Sequence, residues 1–441
     1  MAEGLTWDWE TFPEYLDLLD RQGTVINTAV MIGHTPLRLY VLGGDATERS
    51  ATTDEIAQMR ALVREAVEAG ALGFATSKSN THVGYGGKPV PSRLAETAEI
   101  LEIARALRDA GRGIVQATVG AGLLFEEFGA ITEATGGKMS WTALLAGTGP
   151  GIPEWMLAET AKLRKQGFEV YPQVSCRPLM FEYSMAEPFP FESMRLFASV
   201  SGASDREGKM RVYADPAWRR EFAEQMAAGK GGVLGLAWAR TEISWFPEDP
   251  ALEGRNVAEL AAELGVEPTE LVIDLALQSG LAARFRVAAL NYDEAEVEPL
   301  LTDPHTIIGL SDAGAHASQL CDACFSTHLL SRWVRERKAL TLEQAVRKLT
   351  SEPAEVFGLT DRGVLAVGRP ADVVVFDPAT VGATPLRRVA DQPAGQERLV
   401  SDAVGIDAVI VNGVLIRRDG TDVLDPSGPL PGRLLRGGSA S

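Results

Sequence analysis

The sequence predicts an α/β protein with a parallel sheet, followed by a small β appendage near the C-terminus. Two observations support this fold class. Through most of the chain, short apolar runs alternate with amphipathic helical stretches, a pattern typical of parallel α/β structure. From Gly363 onward the apolar residues recur with a period of two, which indicates β-strands instead.

The N-terminal part contains well-delimited helices and strands. A helix is predicted over residues 11–19 with Thr11 as its cap. A second helix begins at Thr52, which forms a capping box with Glu55, and Gly70 ends it. A third helix covers residues 93–110. The strands predicted here are residues 25–32, 71–76 and 114–119.

The middle of the chain continues this alternation and then interrupts it. Strands are predicted at residues 139–145 and 168–174. Between residues 177 and 284 the alternation weakens, so we expect an elaborated insertion, with a helix over 257–264. The elements predicted after it are strands at 286–290 and 306–310 and a capped helix at 341–349.

The C-terminal part is predicted to be a small β unit. Residues 373–376 and 408–411 form strands, and Asn412-Gly413 is the signature of a type I′ turn into a strand at 414–416. We therefore divide the chain into an α/β unit, a small sandwich-like unit and a Gly/Pro/Arg-rich tail that we expect to be disordered. These parts cover residues 1–362, 363–425 and 426–441.

Composition and charge exclude several classes of partner. The 441 residues carry a net charge of -18, so neither nucleic acid nor an anionic membrane is expected to bind. Three cysteines cannot build a disulfide framework, the apolar runs are too short to span a bilayer, and the acidic first residues do not resemble a signal peptide. A cytoplasmic protein with a small-molecule ligand is the expectation, with homo-oligomerisation left open.

Several segments together resemble one enzyme family. They are Gly33-His34-Thr35-Pro36-Leu37-Arg38, Gly70-Ala71-Leu72-Gly73-Phe74-Ala75-Thr76-Ser77, Ser311-Asp312-Ala313-Gly314 and Asp361-Arg362-Gly363-Val364-Leu365. The combination resembles the metal-dependent amidohydrolases, in the branch of the N-acyl-D-amino-acid deacylases. This resemblance implies a (β/α)8-type TIM barrel, zinc as cofactor, and hydrolysis of carbon–nitrogen bonds in linear amides such as N-acyl amino acids.

The chain departs from the family pattern at its start. The family begins with strands of the small sandwich and a barrel strand carrying His-x-His, and this chain has no His-x-His. Trp7-Asp8-Trp9-Glu10, internal in the family, comes near the first residue. We therefore predict an N-terminally truncated or incomplete barrel with unpaired strand edges and impaired activity.

The zinc ligands of the family are also missing inside the chain. Where the deacylases place Ser-His on a middle strand, this sequence has Ser140-Trp141. An indole does not ligate zinc, which takes three or four N, S or O ligands. Of the family's zinc ligands, Asp312 is the residue that the resemblance identifies in this chain. The sequence therefore argues against the usual zinc centre.

Asp312 and His316 are the predicted catalytic residues. Asp312 follows an apolar strand, and active groups in α/β barrels lie at the carboxyl ends of strands. The resemblance gives it metal binding or proton transfer from water to the leaving amine; the alternative is a helix cap. His316 contacts substrate or Asp312, or is a polar loop residue. His82, His305 and His328 are expected in surface or capping roles.

Five further residues are predicted to bind substrate because they fall on or just after consecutive strands. For His34 the alternative is a structural histidine whose hydrogen bonds are satisfied, and for Trp141 it is core packing. The five residues are His34, Trp141, Gln173, Cys176 and Arg177.

Two other features leave alternatives open. Cys321-Asp322-Ala323-Cys324 is a C-x-x-C pair, readable as a zinc or redox motif or as two small buried apolar residues. Ala323 stands where the deacylases carry an arginine for the substrate carboxylate. The cations that could replace that arginine are Arg38, Lys78, Arg93, Arg177 and Arg240.

Three hypotheses about function follow. The first is a hydrolase of linear amides in which Asp312 acts as base and then as acid. The second is a metal-free relative that binds a small amide or peptide without hydrolysing it. The third is metal-independent hydrolysis by Asp312 with His316 or His34.

Overall fold

Five parallel strands form the first part of the main sheet. The computed structural model describes residues 7–84, 88–232, 235–311, 317–321, 323–425 and 427–440. Each of the five strands pairs in parallel with the next along the chain. They are β1 (Ile32–Gly33), β2 (Gly73–Ser77), β3 (Ile114–Thr118), β4 (Met139–Leu144) and β5 (Val170–Val174).

Six helices accompany these strands and bury their apolar sides against the sheet. Capping boxes begin the first and third helices, where the sequence predicted a cap at Thr11 and a capping box at Thr52. Val63, Leu107 and Val115 are among the fully buried residues of the resulting hydrophobic cluster. The helices are α1 (Phe12–Gln22), α2 (His34–Leu42), α3 (Thr53–Ala69), α4 (Thr97–Ala110), α5 (Phe125–Thr135) and α6 (Ile152–Lys165).

The insertion has its own sheet and its own core. Strands β6 (Leu179–Ser184), β7 (Thr241–Trp245) and β8 (Arg284–Leu290) are antiparallel, with β8 in the middle. A second hydrophobic cluster extends from Tyr183 to Ala289. Its helices are α7 (Ala198–Ser201), α8 (Arg206–Ala214), α9 (Pro216–Ala227), α10 (Val257–Leu264) and α11 (Pro268–Gln278).

The prediction that residues 286–290 resume the alternation of the main sheet was wrong. In β8 the arginines Arg284 and Arg286 alternate with the buried Phe285, Val287 and Ala289. A strand buried on one face suits an antiparallel sheet, whereas a parallel strand is apolar on both faces.

The main sheet gains its sixth strand after the insertion. β9 (Ile307–Ile308) follows α12 (Glu294–Thr302) and pairs in parallel with β5, so the strand order is β1-β2-β3-β4-β5-β9. Among the described residues the sheet has two ends, β1 and β9. The helices that follow are α13 (Phe325–His328), continued by a π-helical segment (Leu329–Glu336), α14 (Leu342–Leu349) and α15 (Ser351–Val356).

The C-terminal part consists of short antiparallel strands, as predicted. Asn412 and Gly413 have φ of 48° and 82°, the left-handed pair that a type I′ turn requires, which confirms the hairpin. The strands are β10 (Val373–Phe376), β11 (Gly382–Ala383), β12 (Arg387–Val389), β13 (Arg398–Val400), β14 (Ala403–Val404), β15 (Ile406–Val411), β16 (Val414–Arg418), β17 (Thr421–Asp422), β18 (Leu435–Arg436) and β19 (Ser439–Ala440).

The tail differs from our expectation of disorder. Residues 427–440 return to the N-terminal helices, where Gly432 and Leu434 bridge to Thr24 and Thr28. Arg436 forms ion pairs with Asp17 and Asp20 of α1. Buried leucines and an arginine that meets carboxylates fix this segment, a long-range arrangement that its Gly/Pro-rich composition does not indicate.

Within the described ranges, none of the helices combines the length and the apolar character that crossing a membrane requires.

Candidate active site

Gln173, near the carboxyl end of β5, contacts β4 on one side and the chain after β9 on the other. Its Nε2 donates to Oγ of Ser140 on β4, at 2.7 Å. On the other side is Gly309, directly after β9, where a Cβ would lie 2.5 Å from Gln173 Oε1. Gln173 is buried and fills the space between β4 and the chain that leads to Asp312.

The segment after β5 is held by α13 and by the π-helical segment that continues it. Cys176 is buried, its Sγ donates to the Phe325 carbonyl at 3.3 Å, and its own carbonyl accepts from Trp333 Nε1 at 2.7 Å. The Arg177 guanidinium contacts Cys324 Sγ. Burial, and then the positive charge of Arg177, lower the pKa of His328 to about 4.

His328 is therefore not the surface or capping residue that we expected. Its ring is largely buried near Arg177, and its lowered pKa makes it neutral at pH 7. The structure thus brings Cys176, Arg177, Cys324 and His328 into one neighbourhood at the end of β5.

Asn291 is a site residue that sequence reasoning missed. It follows β8, is buried, and has a left-handed φ of 57°. Its Oδ1 accepts from the Ala146 amide at 2.7 Å and its Nδ2 donates to the Ser175 carbonyl at 2.7 Å. Asn291 thereby joins the ends of β4 and β5 to the insertion. The available signal was an asparagine directly after an apolar strand, since asparagine tolerates this conformation.

His34 has the structural role that the sequence left open, and so it is not placed to bind substrate. Nδ1 lies 2.8 Å from Thr76 Oγ1 and Nε2 lies 2.9 Å from Glu99 Oε1, both inside the protein. Burial lowers the pKa of His34, and the hydrogen bond to Glu99 opposes this only in part. Glu99 also accepts from Arg38 at 2.5 Å, and all three side chains are buried.

Trp141 lies on the helix side of the sheet. It is fully buried, with its ring centroid 5.9 Å from those of Phe125 and Phe128 on α5. Side chains alternate along a strand, so Ser140 and Thr142 face the opposite side. This is core packing, and Trp141 has no exposed surface here for a substrate.

The five candidate cations have different surroundings. Arg38 forms a buried ion pair with Glu99. Lys78 Nζ donates to the Arg93 and Ala95 carbonyls at 2.6 Å. Arg240 stacks on the Tyr292 ring with 4.1 Å between the guanidinium carbon and the ring centroid. In addition, Arg93 donates to the His82 carbonyl, and Arg177 contacts Cys324.

Asp312 and His316 lie outside the described residues. The chain before them leaves β9 through Leu310, whose φ of 63° is unusual for a leucine. The chain after them is fixed by three hydrogen bonds. Leu399 N donates to the Ala317 carbonyl, Arg388 to that of Ser318, and Glu182 N to that of Gln319.

The described residues do not fit a metal centre. Among their side chains, no three from His, Cys, Asp and Glu come close enough together to hold an ion. The face of β4 and β5 opposite Trp141 presents Ser140, Thr142 and Gln173, and Gln173 donates a hydrogen bond to Ser140.

The comparisons with known proteins agree on one family. The profile of the amidohydrolase family matches residues 3–417. D-aminoacylase of Alcaligenes xylosoxydans xylosoxydans is 30% identical over 415 residues, covering 94% of this chain and 72% of that protein. N-acyl-D-aspartate deacylase from the same organism is 29% identical over 439 residues, covering 98% and 72%.

Solved structures have the same fold. A crystal structure of D-aminoacylase is similar with a TM-score of 0.60 and 24% identity, over 96% of this chain and 74% of that one. N-acyl-D-glutamate deacylase of Bordetella bronchiseptica, complexed with zinc and a phosphonate inhibitor, gives 0.59 and 27%, over 97% and 75%. Another D-aminoacylase structure concerns a binuclear metal center.

Proposed function

We propose, on the premise that this chain belongs to the amidohydrolase family and to its D-aminoacylase branch, that it hydrolyses the amide bond of N-acyl-D-amino acids. The observation that carries the proposal is the 30% identity to a D-aminoacylase over 94% of the chain. Relatives that act on N-acyl-D-aspartate and N-acyl-D-glutamate are 29% identical, so similarity alone does not select the amino-acid side chain.

In the proposed reaction water attacks the acyl carbonyl, and Asp312 transfers the proton. The Asp312 carboxylate accepts a proton from the water and then gives it to the nitrogen of the leaving amine. The products are a carboxylate and a D-amino acid. His34 takes no part, because both of its ring nitrogens have partners inside the protein.

We propose that the six-stranded sheet is part of a (β/α)8-type barrel. Its parallel order and the position of Ser311 after β9 support this, since barrel enzymes carry their active groups at the carboxyl ends of strands. Closure of eight strands would cover the edges of β1 and β9.

Zinc is not part of this proposal. A zinc-containing structure is known for the Bordetella relative, but the described residues of this chain offer no three-ligand cluster. We therefore derive no step through a metal.

A second candidate function is binding of an N-acyl amino acid without hydrolysis. The specific observation in its favour is Trp141, a fully buried indole where the resemblance places a ligand histidine. Under this alternative Asp312 would contribute to binding but not to turnover.

An assay with metal analysis distinguishes the two. The chain is incubated with N-acetyl-D-amino acids that have neutral, aspartate and glutamate side chains, with the L enantiomers as controls, and its zinc content is measured. We expect release of the free D-amino acid, abolished by Asp312→Asn and retained by Asp54→Asn, an exposed control on α3. Binding by calorimetry with no release from the parent chain would establish the second function and reject the first.

A further inference from the structure

A serine and a histidine that the proposed reaction does not use lie in hydrogen-bond contact at the carboxyl end of β2. Ser77 is the last residue of β2, and its Oγ lies 2.6 Å from Nδ1 of His82. Ser77 is partly exposed and His82 is exposed, so a ligand can reach the pair from solvent. A neutral imidazole with its proton on Nε2 accepts at Nδ1 from a hydroxyl, which is the arrangement of a nucleophile with its general base.

Main-chain hydrogen bonds hold both residues in place. The Ser77 carbonyl accepts from Ser92 Oγ at 2.9 Å. The His82 amide donates to the Ser79 carbonyl at 3.2 Å, and the His82 carbonyl accepts from the Val90 amide at 3.3 Å. These contacts lower the entropic cost of bringing the hydroxyl and the imidazole together.

Ser77 also lies on a polar face of the main sheet. Its register partner on β3 is Thr118, which pairs with Thr142 on β4, so three hydroxyl side chains share the face opposite Trp141. Thr142 Oγ1 donates to Thr118 Oγ1 at 3.1 Å, so the hydroxyl hydrogen of Thr118 serves another acceptor. A hydroxyl donor beside a nucleophile can bind the oxyanion that forms when a carbonyl is attacked.

We propose that Ser77 and His82 form a nucleophilic site that hydrolyses activated carboxylic esters through an acyl-serine, with p-nitrophenyl acetate as the probe. Asp312 takes no part in this reaction. The inference therefore stands or falls independently of the proposed amide hydrolysis.

In the acylation step, Ser77 Oγ attacks the carbonyl carbon of the ester while its proton passes to His82 Nδ1. A bond forms between Oγ and the acyl carbon, and the bond from that carbon to the phenol oxygen breaks. The phenol oxygen takes the electron pair of the broken bond and the proton from His82, so p-nitrophenol leaves.

The deacylation step restores the serine. Water attacks the acyl carbon and gives a proton to His82 Nδ1. The bond from the acyl carbon to Ser77 Oγ breaks, and Oγ takes the proton back from the imidazole. The products of one turnover are acetic acid and p-nitrophenol.

The experiment mixes the folded full-length chain with p-nitrophenyl acetate, follows the release of p-nitrophenol, and maps acetyl groups by mass spectrometry after an acid quench. We expect an acetyl group on Ser77, and Ser77→Ala should lose both the acetyl group and the release. His82→Gln should slow acylation by roughly 10²-fold or more, because the general base is missing. Ser79→Ala, which removes a neighbouring hydroxyl bonded to Thr81, should react like the parent.

Ser77→Cys separates a loss of the nucleophile from a loss of the fold. This variant should be acylated at least as fast as the parent, because a thiol is intrinsically the stronger nucleophile. A Ser77→Cys chain with the parent's circular dichroism and no reactivity would overturn the proposal. An acetyl group on another residue, or equal rates in Ser77→Ala and the parent, would also overturn it.

A second measurement tests the contact between the two side chains with a fluorophosphonate label. Ser77 Oγ forms a bond to phosphorus, fluoride leaves, and His82 takes the hydroxyl proton. We expect labelling of Ser77 in the folded parent, and slower labelling in His82→Gln and in the parent unfolded by urea. Equal labelling of the folded and unfolded parent would show that the fold does not activate Ser77 and would reject the site.

Discussion

The carboxylate of Glu99 is buried, and two buried side chains form hydrogen bonds with it. Burial raises its pKa, but hydrogen bonds from His34 and Arg38 outweigh this, so the pKa of Glu99 is lowered and the carboxylate is charged. Removing one partner of a buried ion pair leaves the other charge without compensation. On the same helix, Glu102 pairs with Arg60 and Arg105 near the surface.

Glu99→Ala is therefore expected to lower the free energy of unfolding by about 3–5 kcal/mol, because Arg38 stays buried without its carboxylate. Glu102→Ala, the control, should cost at most about 1 kcal/mol, since partly exposed pairs are screened by water. Urea denaturation of the two variants measures both values. Equal losses would contradict the structural role of the His34–Arg38–Glu99 cluster.

The lowered pKa of His328 predicts that the stability of the protein depends on pH. Its pKa is about 4 in the folded protein, because of burial and the charge of Arg177, against about 6.5 when unfolded. Between these pH values the unfolded chain binds the proton and the folded protein does not, so stability falls as the pH falls.

From pH 7 to pH 4, the parent should lose up to about 3 kcal/mol more unfolding free energy than His328→Gln, which does not titrate. His82→Asn, in an exposed loop, should follow the parent. Denaturant titrations at several pH values provide the comparison, and parallel curves for parent and His328→Gln would refute the burial of this ring.

At the scale of helices and strands, local signals predicted the structure best. The capping boxes at Thr11, Thr52 and Thr341 involve residues three positions apart, and all three are present. The strand at residues 25–32 was predicted too long, because only Ile32–Gly33 finds a parallel partner. Pairing partners are set by distant parts of the chain, which a local pattern does not contain.

Thr52→Ala should destabilise the protein by about 1 kcal/mol, because the Glu55 amide loses its acceptor at the start of α3. Thr53→Ala, at the next position, removes an exposed side chain and should change stability by less than about 0.5 kcal/mol. Thermal unfolding of both variants tests this, and a loss as large for Thr53 as for Thr52 would rule out the cap as the cause.

At the scale of the whole molecule, two large hydrophobic clusters, beside one small one, form the core of the described residues. The main cluster lies between the parallel sheet and its helices, and the second lies inside the insertion. Phe128 belongs to the first and Phe222 to the second, and both are fully buried. The sequence indicated the insertion through a weakened alternation but did not indicate that it has a core of its own.

Phe222→Ala and Phe128→Ala should each cost about 3–5 kcal/mol through the cavity left behind. Their local effects should differ, because the two rings pack in separate clusters. Hydrogen exchange should speed up mainly in β6–β8 and α8–α11 for the first variant and mainly in β3–β5 for the second. Uniform acceleration along the chain in both variants would show that the cores unfold as one unit.

The candidate site was predicted less completely than the fold. Gln173, Cys176 and Arg177 do lie at the end of β5, where consecutive strands placed them. The contacts that decide their roles come from Ser140, Phe325 and Trp333, and the sequence gives no sign of these pairings. His34 and Trp141 follow strand patterns equally well, yet their side chains are enclosed by Glu99 and by the α5 phenylalanines.

The hydrogen bond from the Trp333 indole to the Cys176 carbonyl gives this region a spectroscopic reporter. The indole N–H is sensitive to the acceptor that it faces, so any movement of the chain after β5 changes its environment. Fluorine-labelled tryptophan would give one resonance for each of the 8 indoles, and a Trp333→Phe variant would assign this one. Ligand titrations could then be followed at the carboxyl end of β5 without attaching any probe to the surface.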